Sequence, residues 1–150
     1  MNTNIFAASL SALALASTPT LARSQNVAEP AGIVVEVSAL KTNEGFVFCD
    51  LFNAEVGFPN KPVRAFARTR VRPRAMKATC TFLQAKAGRY AVAVFHDVDA
   101  DLKLDTNLLG IPREPVGASN NAKGSLGPPK FRDAAFDYRP PGVTLSIRVD

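Results

Sequence analysis

Apolar and polar side chains alternate along most of this chain, the period-two signature of strands that bury one face. In GIVVEVSAL, residues 32–40, Ile33, Val35, Val37 and Ala39 fall on one side and Glu36 and Ser38 on the other. VTLSIRVD, at the end of the chain, puts Val143, Leu145, Ile147 and Val149 inward and Thr144, Ser146 and Arg148 outward. Further strands are expected near residues 45–53, 63–71, 76–83, 89–97 and 134–138, each bounded by Gly, Pro, Asn or charged residues. No long 3.6-residue period competes with them. About seven strands, with prolines in the connections, predict an all-β fold, specifically an antiparallel β-sandwich of Ig-like or transthyretin-like topology.

The first residues break this pattern. Ile5 to Ser17 is an uninterrupted run of apolar and small residues, and TPTLA follows it as a small-residue cleavage context ending at Ala22. Residues 1–22 are therefore read as a secretory signal peptide, although MNTN carries no Lys or Arg; the alternative is a buried or interfacial helix. Residues 23–31 make a flexible lead-in and residues 32–150 a single domain, since a chain of 150 residues normally builds one core. No later segment is long enough to span a membrane, so the mature protein is expected in the periplasm or secreted. Export changes the meaning of Cys49 and Cys80. Both lie in strand-like runs, GFVFCDLF and KATCTFL, and in an oxidising compartment they are expected to close a disulfide rather than remain two buried thiols.

Charge is unevenly spread. The net charge is +5, and KPVRAFARTRVRPRAMK alone holds Lys61, Arg64, Arg68, Arg70, Arg72, Arg74 and Lys77 without an acidic residue. Arg68, Arg70, Arg72 and Arg74 recur at every second position, which in an extended chain lines them along one side. Such a stripe suits an anionic envelope polymer, a lipid surface or an acidic protein, and the expected compartment excludes nucleic acid. The bland alternative is a solvated edge strand whose positive charge blocks edge-to-edge pairing.

Acidic residues concentrate in HDVDADLKLDTNLLGIPREPVGASNN, residues 96–121. Asp97, Asp99, Asp101 and Asp105 stand at positions 1, 3, 5 and 9 of a calcium loop, and the Lys103 carbonyl stands at position 7. Two features depart from that pattern: Leu102 occupies the sixth position, where Gly makes the sharp turn, and Leu108 the twelfth, where a bidentate Glu closes the shell. Glu114 is a candidate to fold back and complete it. Carboxylates this close repel one another unless a cation offsets them. Ca²⁺ is thus the expected ligand, with a solvated acidic turn capping its own amides as the alternative.

The stretch AGRYAVAVFHDVDADLKLDTNLLGIPREPVGASNN also carries a specific set of motifs: Gly88, Tyr90, Ala91 and Val92; His96 and Asp97; Lys103 to Asn107; Gly110, Pro112 and Glu114; Gly117 and Ser119 to Asn121. With Pro128, Pro129 and Phe131 downstream, it resembles a family of exported bacterial proteins catalogued as domain of unknown function 2141. The resemblance covers most of the mature chain and implies a compact exported β-sandwich without implying an activity. That family usually has a loop like Glu-Asn-Gly-Asn-Gly where this chain has Val98, Asp99, Ala100, Asp101 and Leu102, so both glycines are missing.

An enzyme is weakly supported. His96 is the only histidine, which excludes a multi-histidine metal centre, and no motif recruits a serine to it. The leading expectation is a non-catalytic exported binding module. Its rival is a hydrolase acting near His96 and the aspartates. GIPREPVGASNN is expected to form either a recognition rim or an ordered connection.

Overall fold

In a computed structural model, residues 31–150 are described; the signal-peptide expectation and nearly all of the lead-in lie outside them. Eight strands form: β1 (Gly32–Ser38), β2 (Phe46–Phe52), β3 (Ala67–Val71), β4 (Ala78–Phe82), β5 (Gly88–Asp97), β6 (Val116–Ala118), β7 (Phe136–Tyr138) and β8 (Gly142–Arg148), with a one-turn helix α1 (Phe131–Ala134) before β7. One sheet has the order β4-β1-β8. The other runs β3-β2-β5-β6, and β7 also pairs with β5. The two pack as a sandwich around Ile33, Val35, Val37, Val47, Leu51, Phe82, Val92, Val94 and Ile147. Among the described residues, no helix is long and apolar enough to cross a membrane.

All pairs are antiparallel except β1 and β8, which run parallel with Gly32 opposite Gly142 and Ser38 opposite Arg148. The chain leaves β7 and crosses to the first sheet at Pro141, whose carbonyl accepts the Gly32 amide, so both strands begin at the same end. The inward phase expected of β1 holds through Val37 and then breaks: Ala39 turns left-handed (φ 66°), and Leu40 is buried in its place. β3 is shorter than the expected 63–71 because residues 62–64 form a 3-10 turn started by Pro62, leaving Val63 exposed. Likewise, the expected strand at 134–138 begins only at Phe136, after α1 has used residue 134.

Cys49 on β2 and Cys80 on β4 are joined by a disulfide that ties one sheet to the other, their Cα atoms 6.4 Å apart. β3 and β4 are connected by a tight turn in which Arg74 and Lys77 exchange backbone hydrogen bonds. Both central residues, Ala75 (φ 50°) and Met76 (φ 58°), are left-handed, a geometry that Asn-Gly fills with least strain. Met76 is half in solvent and its amide is already accepted by Asn43 Oδ1, so glycine loses little there. Met76→Gly is expected to raise the unfolding free energy by about 1 kcal/mol, read from urea denaturation. An unchanged or lower midpoint would contradict the assigned turn.

Candidate functional site

β2 and β5 carry almost unbroken apolar runs, FVFCDLF and YAVAVF, because both of their faces are covered. The inner face meets the other sheet. At one end, the outer face is closed by Phe58 and Phe131 around Ala91, Ala118 and Ala134, with the Phe58 ring edge-on to both Phe52 and Phe131. Towards the other end it carries the arginines. Register places Arg68 opposite Asp50 and Arg70 opposite Phe48, so the expected stripe forms on the outer face of β3. It lies on rings while its outer side stays exposed: Arg68 is 4.3 Å from the Phe48 centroid, Arg70 4.6 Å and Arg72 4.5 Å from that of Phe46, while Phe48 stacks on Phe95. Cation–π contact and stem packing hold these side chains flat. Arg74 leaves the stripe at the turn.

Asp50 sits in this layer, almost wholly buried, with Oδ1 3.0 Å from Arg68 Nε. The contact is Coulombic rather than a directed hydrogen bond, since Oδ1 has no hydrogen-bond partner. Burial pushes the Asp50 carboxyl up to about 6, against the opposing pull of Arg68. Sequence reasoning missed Asp50 and the rings beneath the arginines. The available signal was the lack of polar alternation in FVFCDLF.

At the end of β5, His96 lies opposite Val47 on the inner face and Asp97 opposite Phe46 on the other. His96 is completely buried; its Nε2 donates to the Glu44 carbonyl and Nδ1 has no partner. That contact requires the β1–β2 connection to run close against β5. Only glycine permits the approach at residue 45 (φ 66°), where a Cβ would sit 1.8 Å from the Asp97 carbonyl oxygen.

From Asp97 the chain enters the acidic loop. Asp97 is also completely buried: Oδ2 accepts the Leu102 amide at 3.1 Å, and Oδ1 has no partner. Asp99 Oδ1 accepts the Asp101 amide, and Asp101 Oδ1 accepts the Lys103 amide. The chain then doubles back, with Thr106 bridged to Pro112 and the Arg113 amide bonded to the Asp105 carbonyl. This return brings in Glu114, whose Oε1 accepts the Val98 amide at 2.8 Å and whose Oε2 accepts the Asp105 amide at 3.2 Å. Carboxylate oxygens of Asp97, Asp99 and Glu114 thereby lie within 4.8 Å of one another. Burial raises the Glu114 carboxyl above its ordinary value; the two amides pull it down, and Asp97 and Asp99 push it up.

Of the five carboxylates expected to hold calcium, three converge. Asp101 caps the Lys103 amide instead, and Asp105 supplies backbone groups to Glu114 and Arg113; neither carboxylate joins the cluster. The two left-handed residues of the loop are Ala100 (φ 63°) and Leu102 (φ 70°), the positions where the resembled pattern has glycine. All three converged side chains offer oxygen, as hard divalent cations require.

Ser119, Asn120 and Asn121 are turned onto the protein itself. Ser119 Oγ is buried and bridges the Val92 amide to the Ala134 carbonyl. Asn120 donates to the Asp133 and Ala135 carbonyls, and Asn121 pairs with β8 like a short strand, accepting from the Arg148 amide and donating to the Ser146 carbonyl. These contacts order residues 119–121 against α1 and β8.

A family pattern described as "Uncharacterized protein conserved in bacteria (DUF2141)" matches residues 35–145. No curated protein and no solved structure matches the chain significantly.

Proposed function

The chain belongs to the DUF2141 family of uncharacterized bacterial proteins, and from its own geometry we propose that it is an exported, non-catalytic β-sandwich that binds one Ca²⁺ in its acidic loop and serves as an envelope-associated binding module. The carrying observation is Asp97, a completely buried carboxylate with one oxygen unpartnered, facing the oxygens of Asp99 and Glu114. A cation there would offset three mutually repelling charges and satisfy the orphaned oxygen. Ca²⁺ accepts flexible, oxygen-only shells more readily than Mg²⁺, which demands a near-ideal octahedron. Export is supported by the disulfide, a bond of oxidising compartments. The burial of His96 favours a non-catalytic role over hydrolysis, because the imidazole has no surface to present to a substrate. Among the described residues, Arg70 and Arg72 have no carboxylate within ion-pair distance, which leaves their outward edges for anionic envelope material.

Affinity is expected in the extracellular range, about 10⁻⁴ to 10⁻³ M, because the loop strains Ala100 and Leu102. At ten times that constant, linkage adds about 1.4 kcal/mol to stability, a rise in melting temperature of about 5 °C over the chelated protein. Asp99→Asn should abolish the increment and Asp101→Asn should leave most of it, because only Asp99 lies in the converged group. Leu102→Gly should strengthen binding by relieving its left-handed backbone. If millimolar Ca²⁺ leaves the wild-type melting temperature unmoved and Asp99→Asn simply stabilises the protein, the loop is a solvated acidic turn.

A further inference from the structure

The acidic loop ends in a feature its carboxylates do not explain. Asn107 folds residues 107–111 into a tight turn: its Oδ1 accepts the Leu109 and Ile111 amides, its carbonyl the Gly110 amide, and its own amide bonds the Ile111 carbonyl. The turn is thus held by four hydrogen bonds while its side chains point away from the protein. Leu108 is 105% exposed, Leu109 83% and Ile111 55%, with Leu102 half exposed nearby in the loop. Such a concentration of large aliphatic groups at one tip is unusual for a surface with no partner. The tip is convex, since a methyl group built on Gly110 would meet nothing within 4 Å.

Strand register shows which charged residues share its end of the sandwich. β1 and β3 end, and β2 begins, at the end of the sandwich where β5 delivers the loop. Lys41, Arg72, Arg74 and Lys77 therefore gather at that end, and Lys103 and Arg113 flank the tip within the loop itself; all six are exposed. Against them stand Glu44, Asp99, Asp101 and Asp105, also exposed, which oppose an anionic surface.

We propose that this end of the protein docks on an anionic phospholipid bilayer in a Ca²⁺-dependent way, with Leu108, Leu109 and Ile111 entering the acyl layer and the surrounding Lys and Arg side chains meeting the headgroup phosphates. The proposal deepens, and rests on, the calcium-loop assignment by naming the partner. A bilayer suits a convex tip because fluid chains close around protruding side chains without a preformed groove. Basic residues at the same end as an apolar tip complement anionic headgroups, and Ca²⁺ held by Asp97, Asp99 and Glu114 lowers the negative charge that opposes them.

The experiment is co-sedimentation of the protein with mixed phosphatidylethanolamine–phosphatidylglycerol vesicles, in Ca²⁺ and in EGTA, with zwitterionic phosphatidylcholine vesicles as the comparison without net charge. Melting curves in the same buffers read calcium binding separately. The wild type should pellet with the anionic vesicles only in Ca²⁺. A Leu108→Ser, Leu109→Ser double variant should keep the calcium-dependent rise in melting temperature and lose roughly tenfold or more in vesicle affinity. If Ca²⁺ raises the melting temperature but the wild type stays in the supernatant, or the double variant pellets equally, bilayer docking is overturned and the calcium site stands. If Ca²⁺ does not move the melting temperature, the calcium site fails and the docking proposal fails with it. Calcium-dependent self-association without vesicles, lost in the double variant, would assign the tip to a second copy and overturn the bilayer.

Discussion

Reducing the Cys49–Cys80 bond is expected to cost about 3–4 kcal/mol of stability, from the entropy returned to the unfolded chain when a loop closed over 31 residues is released. For a domain of this size, that is a fall in melting temperature of roughly 14 °C. Reduction leaves both sulfur atoms in place, so it isolates the cross-link; replacing both cysteines by alanine should cost more, because both are completely buried and alanine leaves a void. The bond also spans the two sheets, so the reduced protein loses its only side-chain cross-link between layers among the described residues. Equal melting temperatures in the oxidised and reduced forms, or two reactive thiols titrated in the unfolded, unreduced protein, would contradict the assignment.

How much of this was legible in the chain depended on whether the signal was local. β1 and β8 alternate cleanly because one face of each meets the core, and the cysteines fell in strand runs, so their pairing could be expected before any contact was known. β6 was illegible: three residues between Pro115 and the Ser119 turn are strand only because β5 lies beside them, and Gly117 lets them press against β8. The parallel pairing of β1 and β8 was equally hidden, since it depends on where the chain crosses between layers. In the acidic loop, the spacing picked out Asp97 and Asp99, which do converge, and Glu114 was a candidate because the calcium pattern lacked a closing Glu. Spacing could not tell that Asp101 would cap Lys103; that follows from the left-handed turns at Ala100 and Leu102. The arginine stripe was legible as a period of two, but the rings beneath it belong to β2 and β5 and appear only once register is known.

Asp50 lies under that stripe, and it should make stability depend on pH in the direction opposite to most carboxylates. Its carboxyl titrates near its ordinary 3.8 when unfolded and at about 6 when folded, because burial penalises the ion by more than Arg68 repays. Between those values the folded state holds more protons than the unfolded one, so stability falls as pH rises. The full contribution is present below the unfolded value and is lost as pH passes through the folded one. That difference corresponds to about 3 kcal/mol, little screened by solvent because the side chain is only 5% exposed. Glu114, also raised, acts in the same direction, so the wild-type curve alone does not isolate Asp50. Asp50→Asn does: the difference between wild type and variant, measured by urea denaturation at each pH, should change by about 3 kcal/mol from pH 3.5 to 7, the wild type losing ground. Asparagine keeps the shape without a charge to desolvate, and Arg68 retains the Phe48 ring and solvent for its own charge. A difference that stays constant across the window would mean that burial and Arg68 cancel at Asp50, and one that moves in the wild type's favour as pH rises would mean that the two form a net-favourable ion pair rather than a buried acid held under an arginine stacked on Phe48.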